Sequence, residues 1–194
     1  AGDLVQQDSA LTALAPAFAS TKYTANQAIN PVVNNVDLEL SGGLVWCKRT
    51  DNAGNHYLID NIRGLDKRLS TNTTNNEKTD PALTFNSNGF TLPAGEPNFN
   101  YEGNYISWSC RKAPKFFDVQ TWSGNSTAGR TVSHNLNSVP GMMIVKSISG
   151  AGQWNIYHKN LGIAGLIQFT ATSSETGTQW NNTLPTSTEF TLGA

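Results

Sequence analysis

The sequence predicts an all-β protein built from two related repeats of about 98 residues, with a short N-terminal arm ahead of them. Three observations carry this expectation. From Tyr23 onward, runs of four to eight residues rich in Val, Ile, Thr and aromatics alternate with clusters of Asn, Gly and Ser, as strands alternate with turns. The stretch Gly43-Leu44-Val45-Trp46-Cys47-Lys48 returns 98 residues later as Gly141-Met142-Met143-Ile144-Val145-Lys146. Charged residues make up 14% of the chain, against roughly 25% in ordinary soluble domains, and Asn, Thr and Ser supply a neutral, hydrogen-bonding surface in their place.

Residues 1–22 read as an arm or linker. Asp8-Ser9 can cap a short helix carrying Leu11 and Leu14, which Pro16 would end. Strands are then expected at Leu44–Arg49, His56–Asp60, Gly89–Leu92, Tyr105–Cys110, Phe116–Trp122, Thr131–His134, Met142–Ile148, Trp154–His158 and Leu166–Thr170. In Tyr105–Cys110, Ile106, Trp108 and Cys110 share one face, and Tyr105, Ser107 and Ser109 the other, the pattern of a half-buried strand. Leu44–Cys47 and Met142–Val145 are apolar on both faces, so each is expected at the centre of a sheet covered on both sides.

The repeat holds over further landmarks. Gly54 falls on Gly152, His56–Ile59 on Trp154–Tyr157, and Gly64 on Gly162. Phe90-Thr91-Leu92 recurs as Phe190-Thr191-Leu192, and Tyr23–Asn26 resembles Trp122–Asn125. This divides the chain into a first β repeat over 23–113 and a second over 114–194, expected to form one sandwich together. The second copy would stop short of a counterpart to Tyr105–Cys110, so a natural chain running past Ala194 is expected.

Composition excludes several roles. A net charge of −1 and a pI near 6.3 provide no basic field for nucleic acid or an anionic membrane surface. No apolar run approaches the roughly 20 residues of a membrane span, so no membrane insertion is expected. Cys47 and Cys110 both end strands; a bridge or two free thiols are both open, the second favoured.

Catalytic and metal chemistry find little support. The three histidines, His56, His134 and His158, have no ligand spacing, so no metal or cofactor is expected. Asp37 and Glu39 sit on one face of a candidate strand with no third acid in register, which fits a solvated face better than a hydrolase pair. Asp51–Asn55 reads as a tight turn, and Asp60 with Arg63 as a pair flanking a turn, local turn architecture that would contribute about 0–1 kcal/mol if exposed. No catalytic residues are assigned. Trp154 beside Gln153, and Trp180 beside Gln179 and Asn181, could stack on a sugar while the amides bind hydroxyls, although burial in a small β core is the commoner fate of an indole. These five are the candidate glycan- or receptor-binding residues.

Several segments together resemble one family: Gly43–Lys48, Leu58–Gly64, Ser70–Thr74, Phe85–Leu92, Asn104–Lys112, Trp122–Thr131, His134–Leu136, Pro140-Gly141 and Tyr157–Gly162. In this order they are similar to phage virion proteins, mostly tail-fibre or structural, over about residues 23–194. The resemblance implies a lectin-like β-sandwich of the jelly-roll kind, located in the phage particle. It implies a non-enzymatic tail-fibre or adhesin domain contacting the host surface, or alternatively a capsid decoration (cement) or tail-joint protein. The expected partners are other virion proteins, further copies in a homo-oligomer such as a trimer, and a host-surface glycan.

Overall fold

The computed structural model describes residues 16–171 and 175–193. The short helix expected within residues 8–15 lies outside them. The protein is mostly β, with antiparallel sheets and almost no helix. Fifteen strands are described: β1 Phe18–Ala25, β2 Asn30–Val33, β3 Gly43–Arg49, β4 His56–Asp60, β5 Gly64–Ser70, β6 Lys78–Thr79, β7 Thr84–Asn86, β8 Gly89–Leu92, β9 Gly103–Arg111, β10 Arg130–Ser133, β11 Met142–Lys146, β12 Trp154–His158, β13 Gly165–Gln168, β14 Glu175–Thr176 and β15 Glu189–Leu192. A single helical turn, α1 (Leu38–Ser41), precedes β3.

A six-stranded sheet, β1-β9-β3-β4-β5-β6, faces a three-stranded sheet, β2-β8-β7. Val45, Cys47 and Ile59 from the larger sheet meet Val32, Phe85, Phe90 and Leu92 from the smaller one in a continuous apolar core. A second core gathers Val132, Tyr157, Trp180 and Phe190, with Trp122, Met143 and Val145 against them. It lies between the four-stranded sheet β11-β12-β13-β14 and the β10-β15 pair. Among the described residues the buried side chains thus gather in two apolar clusters.

The β3 strand is central, as its two-faced apolar pattern predicts: β9 flanks it on one side and β4 on the other. Its first residue must be small. A Cβ on Gly43 would fall inside the envelope of the Cys110 carbonyl oxygen and 2.9 Å from both Arg111 Cα and Leu38 Cδ2. Gly43→Ala is therefore expected to cost about 1–3 kcal/mol, the usual scale of overpacking, read as a fall in the urea midpoint at unchanged slope.

Several expectations are corrected. The arm does not extend to residue 22: β1 begins at Phe18 and pairs with β9 along its whole length. Phe116–Trp122 is not a strand; its one ladder contact is the isolated bridge Ala113↔Phe117. β11 is an edge strand among the described residues, with Met142 56% and Ile144 39% exposed. Asp37 is no strand residue: it caps α1, accepting from Leu40 N–H at 3.0 Å, and Glu39 sits in the same turn. β9 keeps the predicted faces, but Tyr105, Ser107 and Ser109 point inward and Ile106, Trp108 and Cys110 lie half-buried outside. Serine suits the inside because its hydroxyl finds partners there: Ser107 donates to the Thr21 carbonyl and Ser109 accepts from Asn34 Nδ2.

Both cysteines are free thiols. They sit on adjacent strands, but Cys47 lies opposite Ser107 and Cys110 opposite Leu44, on opposite faces of the sheet. Burial pushes the Cys47 thiol up to about 12 and the Cys110 thiol up to about 11. Because both values lie above the ordinary 9.0, the stability that these thiols contribute is present below about pH 9 and is lost as pH rises toward 11 and 12. Iodoacetamide at pH 8 is expected to leave both unmodified in the native protein and to modify both in denaturant, as read by intact mass.

Candidate functional site

A cavity of about 1060 Å³ lies between the outer face of the six-stranded sheet and the second core. Leu44, Leu58 and Leu69 form one wall, residues 115–124 a second, and β11 a third. Residues 118–127 enter no ladder. Side chains hold them instead: Asn125 Oδ1 accepts from Thr127 N–H at 3.2 Å, and Asp118 Oδ2 accepts from Gln120 Nε2 at 2.7 Å and from Asn135 N–H at 2.8 Å.

β11 lines this cavity along its whole length. Gly141 C=O accepts from Lys159 N–H at 3.0 Å. With the β11–β12 register, this makes Gly141, Met143 and Val145 the residues whose amides and carbonyls point at β12. Met142, Ile144 and Lys146 therefore turn theirs the other way, where no described strand lies.

Four buried polar atoms among the cavity's lining residues have no hydrogen-bond partner: Asp118 Oδ1, which has only the Lys112 ammonium at 3.3 Å, and His134 Nε2, Gln179 Oε1 and Trp180 Nε1. His134 and Trp180 are 8% and 2% exposed. Unpaired buried polar groups cost about 1–3 kcal/mol each, so the cavity suits an occupant that hydrogen-bonds.

The acids that line the cavity are engaged. Asp60 pairs with Arg63 Nε at 2.6 Å, and Arg63 also reaches Glu77 at 3.0 Å and the Leu58 carbonyl at 3.1 Å. Both side chains are at most 5% exposed, so the turn pair is an interior one. Burial alone would push the Asp118 carboxyl up. Hydrogen bonds from Asn135 N–H and Gln120, with the Lys112 ammonium, outweigh it and hold the group below the usual carboxylate range. Burial lowers the Lys146 ammonium below the usual lysine range.

The five residues singled out in sequence do not form a stacking platform. Trp154 is 3% exposed, donates from Nε1 to the Thr73 carbonyl at 3.0 Å, and packs on Phe169 with ring centroids 5.7 Å apart. Phe169 in turn meets Trp46, and Trp46 meets Trp108, so these rings tie the outer face of the large sheet to the second unit. Trp180 packs edge-on against Tyr157 at 6.0 Å inside the second core. Both indoles are thus core residues. Gln153 is exposed and accepts from the Thr170 hydroxyl. Asn181 is half-buried with φ at 49°, a conformation that asparagine tolerates well. The structure brings Trp154, Gln179 and Trp180 to the cavity and leaves Gln153 and Asn181 outside it. His134 and the β11 edge escape local sequence reasoning, because only long-range pairing places them together.

Residues 16–194 match a family described as a domain of unknown function (DUF7483), and the chain belongs to it. No curated protein and no solved structure matches the chain.

Proposed function

We propose that this DUF7483 member is a non-enzymatic structural protein of a phage particle, a tail-fibre or adhesin domain built from two copies of one jelly-roll-like β unit. The observation that carries this reading is the parallel between the two units. β2 pairs with β8, and β10 with β15, in the same register 100 residues on: Val32 opposite Phe90, Val132 opposite Phe190. The order β3-β4-β5-β6 has its parallel in β11-β12-β13-β14. Two β units with a neutral Asn/Thr/Ser surface suit a particle component, where copy number carries function. The resemblance of segments such as Gly43–Lys48 and Tyr157–Gly162 to virion proteins supplies the particle itself. A non-catalytic role is supported by the engagement of Asp60 and Asp118 with basic partners in the cavity.

Adhesion in this reading runs through exposed polar loops around Gln153 and Asn181, with host glycan as the contact and homo-oligomerisation as the source of avidity. The open edge of β11 favours a second reading, a decoration or joint protein that docks other virion proteins. Immunogold electron microscopy on purified particles separates the two. Gold confined to the tail supports the fibre, gold over the head lattice supports decoration, and particles without label overturn both.

A further inference from the structure

We propose that the cavity beside β11 is a strand-acceptor site, which takes an extended polypeptide strand with the chemistry of β9, running antiparallel to β11. The inference deepens the reading above and rests on its two-unit duplication.

In the first unit, β9 lies between β1 and β3. Gly43 C=O accepts from Asn61 N–H and Gly42 C=O from Lys112 N–H. By alternation, Leu44, Trp46 and Lys48 bond to β9 opposite Cys110, Trp108 and Ile106. Met142, Ile144 and Lys146 stand 98 residues on and present the same backbone edge, in a strand that lines the cavity. The counterpart of β1 is the ladder-free segment around Trp122, which forms the cavity's opposite wall.

Side chains specify the occupant. Tyr23 meets Phe90 edge-on at 6.3 Å and stacks its ring on Tyr105 of β9 at 5.3 Å. Trp122 meets Phe190 edge-on at 5.6 Å, so an aromatic at the Tyr105 position of the incoming strand would stack on Trp122. Asn34 accepts from Val36 N–H and donates from Nδ2 to Ser109 Oγ of β9 at 2.9 Å. His134, 100 residues on, accepts from Leu136 N–H in the same way through Nδ1, and its buried Nε2 has no partner. A serine hydroxyl at the Ser109 position would satisfy it. The recognised strand is thus aromatic-x-small-x-Ser on its inner face, the pattern of Tyr105, Ser107 and Ser109, with apolar residues between.

The test uses the 194-residue protein and a synthetic peptide copying Gly103–Lys112 with Cys110→Ser. Calorimetry is expected to show one-to-one binding, and hydrogen exchange by NMR should show new protection at Met142, Ile144 and Lys146 but not at Met143 or Val145. N-methylation of the peptide at the Ile106, Trp108 and 110 positions, whose amides face β11, should abolish binding. Replacing the Ser109 position by alanine in the peptide should weaken it roughly five- to tenfold, the scale of one buried hydrogen bond; this arm needs no protein variant that might misfold. No binding, or binding indifferent to N-methylation, overturns the proposal. Slow exchange at Met142, Ile144 and Lys146 in the peptide-free monomer would show that the edge is already paired and overturns the duplication beneath it. Concentration-dependent dimerisation that protects those amides and resists the peptide would make a second copy the occupant, and overturns it too. None of these outcomes depends on where the protein sits in a particle.

Discussion

Arg63→Ala is expected to destabilise the protein by about 3–5 kcal/mol, the cost of leaving a buried charge without its partner. The guanidinium is 5% exposed and the Asp60 carboxylate 2%, so solvent screening gives no relief. Asp60 also fixes the turn between β4 and β5, accepting from Ile62 N–H at 3.0 Å and Arg63 N–H at 2.9 Å. Arg63 returns across the sheet to Glu77 and to the Leu58 carbonyl. Removing the guanidinium leaves one carboxylate oxygen of Asp60, one of Glu77 and one carbonyl without their donor. Arg63→Lys keeps the charge but cannot serve three acceptors in a plane, and is expected to recover less than half of the loss. Asp60→Asn added to Arg63→Ala should cost less than Arg63→Ala alone, because the amide retains the turn acceptor and removes the unpaired charge. Urea midpoints of the three variants read this order. A loss under 1 kcal/mol for Arg63→Ala would mean that the pair is solvated, as surface pairs are.

The pair is legible in the sequence as turn architecture but its burial is not, for a reason general to this chain. Local pattern finds strands whose own residues decide their fate. His56–Asp60, Gly89–Leu92 and Trp154–His158 occupy the predicted bounds, and Gly43–Arg49 differs by one residue. It fails where the decision belongs to a distant partner. β1, Phe-Ala-Ser-Thr-Lys-Tyr-Thr-Ala, is half polar and becomes a strand because β9 offers it an eight-residue register. β2 carries Pro31, which an edge strand tolerates and a central one does not. Phe116–Trp122 has the composition of a strand and the counterpart position of β1, yet no strand runs beside it among the described residues. The candidate site divides along the same line. Gln179 and Trp180 were visible as polar and aromatic residues near a turn. That Trp180 points inward, that His134 keeps an unpaired Nε2 and that β11 turns three backbone pairs outward all follow from pairings across tens of residues.

Glu96→Ala should match or exceed the loss at Arg63, again about 3–5 kcal/mol, through a different mechanism. Glu96 is fully buried, yet no salt bridge neutralises it among the described residues. Its charge rests instead on successive backbone amides: Asn98 N–H at 2.9 Å, Phe99 N–H at 2.5 Å and Asn100 N–H at 3.0 Å, with Asn98 Nδ2 at 2.9 Å. Such a nest of amides suits an anion, and each orphaned buried N–H costs about 1–3 kcal/mol. The connection that they hold is central to the first unit. Phe99 C=O accepts from the Tyr23 hydroxyl, and Asn100 Nδ2 donates to the Ala28 and Pro93 carbonyls. This loop carries the chain from β8 in the small sheet to β9 in the large one. Loosening it should therefore free the β9 end near Tyr105 first. Glu96→Gln keeps an acceptor oxygen but gives up the charge-assisted bonds, and roughly half of the loss is expected from it. Hydrogen exchange supplies the mechanistic readout: in Glu96→Gln, amides of Asn98, Phe99 and Asn100 should lose protection, while those of β4 and β5 around Arg63 keep theirs. Uniform loss of protection in both regions would instead make Glu96 a contributor to global stability with no local role.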